Sequence, residues 1–421
     1  MGASSHLSGR KGASVMGTDY DLCINGGGPI GATLACLLAQ KGLRILLLER
    51  SPLSTAPAQN PDGRAYALAE GIRPLLEDAG IWQALPLAPQ PITTIHVTDG
   101  QGRIPSTSRT TIADGLSFTG EDAPEDRPFG WMVEAHNLLA AIARTLMNQP
   151  GLDVRAPATG RFTFSPEQAQ ITLDTGETVT ASLVIAADGR RSLLRQQAGI
   201  GLTRIPYNKL ALVSVLAHEN PHHGSALENF LPQGPFARLP LPGTEAHPHR
   251  SAIVWTDRPE RIEHFTRLDA ASFTRLVKDR LCGEDLGAIE LAGEHWTYPL
   301  ASQYAHRYYA TRLLLAGDAA HGLHPVAGQG MNLGFRDVRT LNDLLGEAYA
   351  CGEDLGGPAL LQRYQRLSRP GNLAMLAGCD MMERLFSTDM PLIRHARHAG
   401  LMMLKRLPSL RHGFVQRAMG L

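Results

Sequence analysis

Apolar residues in this chain fall into short runs, and the spacing of those runs changes twice along the sequence. Tyr20–Asn25 is an apolar run that ends at a glycine cluster, Pro29–Lys41 has helical composition and stops at Gly42, and Leu43–Leu48 is almost wholly apolar. A strand apolar at every position is the kind buried on both faces of a parallel sheet, so the chain opens as strand, helix, strand. Val133–Met147 predicts a helix, Gln170–Leu173 and Thr178–Thr180 flank the hairpin signal Asp174-Thr175-Gly176, and Leu183–Ala187 predicts another buried strand. Residues 92–126 alternate poorly and are rich in Thr, Ser, Gly and Pro, predicting strands with long loops. From Leu202 to His295 the texture is β-like, with Leu210–Ala217 and Ser251–Thr256 separated by Pro/Gly loops such as Leu239–Pro242. Arg312–Gly317 returns to a buried strand, a glycine-rich turn follows, a helix starts near Asn332, and the chain reads as helical beyond Leu345.

The expected architecture is therefore an α/β fold with a parallel sheet, built discontinuously from residues 18–91, 127–200 and 296–350. A β-rich unit of residues 92–126 and 201–295 interrupts it, residues 1–17 form a loose arm, and 351–421 form a helical C-terminal segment.

Charge changes this picture by exclusion. Lys+Arg 40 against Asp+Glu 40 over 421 residues leaves no protein-wide basic field, so a nucleic-acid partner is not expected. The uncharged apolar runs, such as Ile45–Leu48 and Leu313–Ala316, are far shorter than the ~18–20 residues a membrane span needs. The N-terminus shows no leader pattern, and His6 stands where a myristoylation signal wants Ser or Thr. The five cysteines are scattered without a CxxC pair, which argues against a disulfide framework or a zinc site. The expectation is a cytoplasmic protein, soluble or peripheral.

Three motifs carry chemistry. Gly26-Gly27-Gly28-Pro29-Ile30-Gly31 is a GxGxxG at a strand-to-helix junction, answered by Glu49 at the end of the second strand. Glycines there permit a tight turn, close approach of a pyrophosphate and packing of helix on strand, while the helix N-terminus faces the phosphates; an acid in the place of Glu49 accepts from a ribose. The bland alternative is a structural turn with a solvated Glu49. The second motif, Leu183–Arg195, ends a buried strand in Asp188-Gly189 and continues with Arg190, Arg191 and Arg195. It reads as a cofactor-facing loop or, equally, as an Asp188 N-cap with solvated arginines. The third, Leu313–Gly334, ends a buried strand at Gly317-Asp318 and places Gly328, Gly330, Met331 and Asn332 at a helix start. Asp318 can meet a ribityl hydroxyl there, and backbone N–H groups can face an electron-rich ring. His321 and His324 have ligand-like spacing but no carboxylate or cysteine near them in sequence, so no metal is expected.

Together, in this order and spacing, the three motifs resemble the group A flavoprotein aromatic monooxygenases, relatives of para-hydroxybenzoate hydroxylase, from about Asp19 to Leu421. Within that group Asp62–Leu68, Val133–Asn137, Gly234–Leu241, Leu385–Ser387 and Ala418–Gly420 are similar to the ubiquinone-biosynthesis hydroxylases, most of all the 2-polyprenyl-6-methoxyphenol hydroxylase branch. The resemblance implies a Rossmann-like FAD-binding domain, a β-rich substrate domain and no separate nicotinamide domain. It places Gly26, Gly28, Pro29, Ile30 and Gly31 at the FAD pyrophosphate, and Glu49 with Arg50 at the adenosine end. Arg64 would lie near the flavin, Asp188 between FAD and NAD(P)H, Gly317 and Asp318 at the ribityl chain, and Pro325, Gly328, Gly330, Met331 and Asn332 around the isoalloxazine. Arg195 carries over less directly, and Phe236 and Leu239 would line the substrate.

The implied reaction is reduction of FAD by NAD(P)H, then transfer of one O₂ oxygen through a flavin C4a-hydroperoxide to a polyprenylated phenol. No catalytic side chain is assigned; His136, Tyr207 and Tyr298 are the candidates for a base that takes the phenol proton. Other ubiquinone-biosynthesis enzymes are implied partners. Met390–Leu421 holds six Lys/Arg and no acid, which suits peripheral contact with the inner face of a membrane, or equally a helix packed on the FAD domain with a basic outer face. Two other functions stay open: a monooxygenase of a small soluble aromatic acid, which wants a fixed cation, and a binder of quinone intermediates within a biosynthetic complex.

Overall fold

A computed structural model describes residues 17–98, 115–231, 233–323, 328–386 and 408–420. His324, Pro325, the arm up to Met16 and the C-terminal residues 387–407 lie outside the described residues.

The apolar strands assemble as their composition requires. Tyr20–Asn25 sits in the middle of an eight-stranded sheet, with Ile45–Leu48 and Thr178–Ala186 as parallel neighbours. Leu152–Arg155 extends the sheet on one side and Leu313–Leu315 on the other, both parallel. Leu22, Ile24, Leu47 and Ile185 have no exposed surface, because helices cover the sheet. Helix Pro29–Gln40 packs against Ala135–Asn148 and Gln329–Ala350. Strand Gly130–Glu134 precedes Ala135–Asn148, so Val133 and Glu134, expected to be helical, are strand instead. The cause is pairing: Tyr66 lies opposite Val133 and Ala65 opposite Glu134 in a small three-stranded sheet.

A second, nine-stranded sheet is mostly antiparallel. Its central order runs Trp296–Ala305, Leu202–His218, Arg250–Asp257, Gly234–Leu241, Ser225–Leu231, Thr94–Thr98, Leu116–Phe118. Its outer face is covered by helices Pro259–Thr266 and Ala270–Lys278, where Trp255 stacks on Phe265 with ring centroids 4.2 Å apart and meets Phe236 edge-on. Its inner face turns toward the first sheet, and the space between them is the molecule's large cavity. Helices Pro358–Phe386 and Pro408–Met419 close part of the rim, with Val415 and Met419 buried against Phe118, Phe129 and Met132.

Candidate cofactor and substrate cavity

The cavity has a volume of about 3270 Å³, against roughly 300–1,000 Å³ for a pocket that holds one small molecule. Room for two molecules, end to end, is the simplest reading of that size. One end is made by the sequence motifs. Gly26 has φ +121°, and a Cβ there would stand 2.3 Å from the Ala187 carbonyl oxygen; a Cβ on Gly31 would stand 2.0 Å from the Gly26 carbonyl oxygen. These two glycines are required by backbone crowding. Gly28 is different: a Cβ there meets nothing within 4 Å, because it faces the cavity. Pro29 occupies the first turn of the helix and, with Ile30, lines the same end. Glu49 accepts the Gly27 N–H at 2.8 Å and the Ser51 N–H at 2.9 Å, so its carboxylate fixes the glycine turn; exposed Arg50 stands beside it on the lining.

Asp188 accepts the Leu193 N–H through Oδ2 at 2.9 Å, while its Oδ1 is buried with no hydrogen-bond partner among the described residues. An orphaned carboxylate oxygen at a cavity margin is an acceptor waiting for a ligand donor. Arg195, 3 % exposed, donates to the Ala319 and Arg190 carbonyls and so ties the second motif to the third. Its role is in the fold of the loops.

Asp318 lies across from that turn. Its Oδ2 accepts from Arg190 Nε at 3.0 Å, and the same guanidinium donates to the Leu323 carbonyl at 3.0 Å. Gly317, at φ +58°, donates its N–H to Asp337 Oδ2 at 2.9 Å. Asp337 also accepts from His321 Nε2 at 2.6 Å and from Asn372 at 3.0 Å, all three side chains being buried. The sequence expectation that His321 lacks a carboxylate partner is corrected here, since the next helix supplies Asp337. Burial draws the His321 imidazole down, the Asp337 carboxylate and, behind it, Asp318 raise it, and the net shift is upward.

At the far side, helix Gln329–Ala350 begins on Gly328, left-handed at φ +64°, and Gly330 opens on the cavity with nothing within 4 Å of a Cβ. Met331 is half-buried against the core around the parallel sheet. Asn332 accepts the Ala69 N–H at 2.9 Å and donates to the Ala67 carbonyl at 3.0 Å, so it grips the three-stranded sheet. Arg64 lines the cavity in an ion pair with Asp62 at 2.6 Å.

The β-rich end divides the substrate candidates. Leu239 lines the cavity, but Phe236 is wholly buried on the opposite face against Trp255. That assignment is corrected by the two-residue period of a strand: positions three apart cannot share a face without a bulge, and Gly234–Leu241 pairs regularly. Of the three base candidates, His136 and Tyr298 line the cavity and Tyr207 does not. Burial lowers the His136 imidazole, more than Glu134 raises it, and the Tyr298 hydroxyl already donates to the Asp62 carbonyl at 2.9 Å. Tyr207 donates to Asp380 at 3.0 Å, and burial pushes its hydroxyl up to about 12.

A profile of the FAD binding domain family matches residues 19–377. The chain belongs to this family. It is 41 % identical over 403 residues to the ubiquinone hydroxylase UbiL of Rhodospirillum rubrum, covering 95 % of this chain and 89 % of that protein. It is 31 % identical to the 3-demethoxyubiquinol 3-hydroxylase of Escherichia coli, over 95 % of this chain and 98 % of the other. Among solved structures, p-nitrophenol 4-monooxygenase PnpA from Pseudomonas putida DLL-E4 superposes with a TM-score of 0.73 at 16 % identity, over 96 % of this chain and 99 % of that one. At that identity the likeness concerns the fold. FAD is the cofactor of the family, and the glycines open on the cavity and the orphaned Asp188 oxygen fit it. Among the described residues, no helix is long and apolar enough to cross a membrane.

Proposed function

We propose that this protein is an FAD- and NAD(P)H-dependent hydroxylase that places one oxygen atom of O₂ on the ring of a polyprenylated phenol in ubiquinone biosynthesis. One observation carries the reading: a single cavity joins the glycine turn and the Asp318 turn to an apolar vault under the nine-stranded sheet. It occurs in a chain similar to a ubiquinone hydroxylase over nearly its full length.

When bound, FAD supplies the redox chemistry, accepting a hydride and activating O₂. The chain's own residues hold and enclose. The N-terminus of helix Pro29–Gln40 and the open face of Gly28 would receive the pyrophosphate, with the turn kept in shape by Glu49. Asp188 Oδ1 and Asp318 would accept hydroxyls of the cofactor's sugar chain, and Arg190 balances the Asp318 charge. The N-terminal turn of helix Gln329–Ala350 offers free N–H groups and a positive dipole end to the cavity, which would favour negative charge on a bound flavin ring. Apolar residues of the vault, Leu239, Val254 and Met382 among them, keep water from the reacting centre and accept a hydrophobic tail.

Peripheral membrane contact is proposed through Arg394, Arg397, Lys405 and Arg406, since a tailed substrate resides in lipid. The test of the function is twofold. The purified protein should show a flavin spectrum and consume NAD(P)H and O₂ with formation of a hydroxylated prenylphenol. A strain lacking it should accumulate a quinone precursor short of one ring hydroxyl. Normal ubiquinone in that strain, with no redundant hydroxylase, refutes the reading.

A further inference from the structure

The inner face of the nine-stranded sheet carries one feature that flavin binding does not use. Alternation along Ser225–Leu231 sends Ala226, Glu228 and Phe230 toward the cavity, and Leu227 into the helix-covered core. In the sheet register Glu228 lies between Val97 and Ala237. Across the strands Ser225–Leu231, Gly234–Leu241 and Arg250–Asp257, it is the one ionisable residue on the cavity lining among the described residues. Its carboxyl has no hydrogen bond or ion pair among those residues, and what it is exposed to is the cavity. Such a group is costly: an unpaired carboxyl in apolar surroundings loses its hydration and gains nothing in return.

We infer that Glu228 selects and positions the substrate's head group, its carboxylate accepting the O–H of the ring hydroxyl and excluding a ring carboxylate from the same place. This rests on the phenol-hydroxylase reading above and sharpens it, because the competing substrate, a small aromatic acid, would meet a like charge there.

Three lines of chemistry support it. A phenol brings a donor and no charge, and an O–H donating to a carboxylate makes a short, charge-assisted bond. A benzoate brings a second negative charge into a low-dielectric space, where like charges cannot both stay ionised. The surroundings also tune Glu228: burial, and then Glu383 on helix Pro358–Phe386, push its carboxyl up to about 7. Glu383 is itself held by Lys209 at 2.6 Å, and Asp380 on the same helix by Arg384 at 2.7 Å. A bond accepted by the ionised form favours that form, so phenol affinity should rise as pH goes from 6 to 8.

The experiment titrates FAD-loaded protein with 2-octylphenol and with 2-octylbenzoate, following the flavin absorbance, for wild type, Glu228→Gln and Glu228→Leu. Wild type should bind the phenol at least about tenfold tighter than the benzoate, with affinity rising across neutrality. Glu228→Leu should weaken phenol binding by about tenfold to a hundredfold, the worth of a hydrogen bond to a charged group, and narrow the preference over benzoate. Glu228→Gln keeps an acceptor and should retain part of the affinity while losing the pH dependence. Neither variant threatens the fold: removing an unpaired carboxyl from an apolar face should raise the melting temperature of Glu228→Leu even as phenol affinity falls. Wild-type affinity and an unchanged pH profile in both variants overturn the inference while leaving the function standing. A flavin-loaded wild type that neither binds nor hydroxylates any alkylphenol overturns the function itself, and the inference with it.

Discussion

Replacing Asp337 tests whether the turn that presents Asp318 is held from below. Asp337 is fully buried on helix Gln329–Ala350 and accepts three hydrogen bonds, from Gly317 N–H, His321 and Asn372. Asp337→Ala strands all three donors. Removing one member of a buried ion pair costs about 3–5 kcal/mol, and a buried donor left without its acceptor about 1–3 kcal/mol. These terms share one network and do not add fully, so the expected loss is about 4–6 kcal/mol, a large share of the ~5–15 kcal/mol that keeps a domain folded. Asp337→Asn keeps one acceptor oxygen and should lose about half as much. Urea unfolding of the FAD-free variants measures this directly, and FAD titration of the folded Asn variant should show weakened binding, because Gly317 and Asp318 lose their support. His321 adds a pH signature. Its value is raised in the folded state, so its contribution is complete below the unfolded value of ~6.5 and lost as pH climbs through the folded value. Wild-type stability should therefore fall on the alkaline side of ~6.5 more steeply than that of Asp337→Asn. A loss under about 1 kcal/mol in Asp337→Ala, with unchanged FAD affinity, would refute the support role.

Three further outcomes are expected. Gly31→Ala forces a Cβ to 2.0 Å from the Gly26 carbonyl oxygen and should cost at least ~1–3 kcal/mol in unfolding experiments, whereas Gly28→Ala, with open space at the same atom, should fold normally and lose FAD in gel filtration. Asp318→Ala removes a half-exposed ion pair of little structural worth, so its melting temperature without FAD should stay near wild type while flavin occupancy drops; full occupancy would remove Asp318 from the site. Changing Arg394, Arg397, Lys405 and Arg406 to Gln should reduce flotation with anionic liposomes and leave flavin content unchanged. Truncating from Pro391 is a poorer test, since it also removes Val415 and Met419 from the rim of the cavity.

What the sequence makes legible is local. Gly26–Gly31 and Gly317-Asp318 can be read because a strand, a turn and a helix start follow one another closely along the chain, and the requirement for glycine is a property of the turn itself. The β-α-β opening is legible for the same reason. Partners supplied from elsewhere are not. Asp337 and Asn372 reach the Gly317 turn from two later helices, and nothing near His321 announces a carboxylate. Val133 and Glu134 read as the start of a helix because their pairing with Ala65 and Tyr66 is distant in sequence. Phe236 and Leu239 differ by an odd number of strand positions, so in a regular strand one of them faces away from the cavity. Glu228 carries no local signal at all. An acid in a β-like run looks like an exposed position until the register places Val97 and Ala237 on either side of it.

One helix links these parts. The first turn of Gln329–Ala350 faces the cavity through Gly330, its Asn332 grips the backbone of Ala67 and Ala69, and about a turn and a half later Asp337 grips Gly317. Asn332 thus fastens the helix to the three-stranded sheet, and Asp337 fastens it to the loop that leaves the parallel sheet at Leu313–Leu315. Neither side chain needs to touch a ligand to matter. Because both grips lie on one rigid rod, the N–H groups at its start have a fixed position relative to the Asp318 carboxylate. Preorganisation of that kind is what a reaction dependent on charge developing at one ring position requires, since donors aimed in advance need no reorganisation when the charge appears. The distribution of residues follows: glycine where the backbone opens on the cavity, and buried Asn and Asp behind it where the backbone must not move.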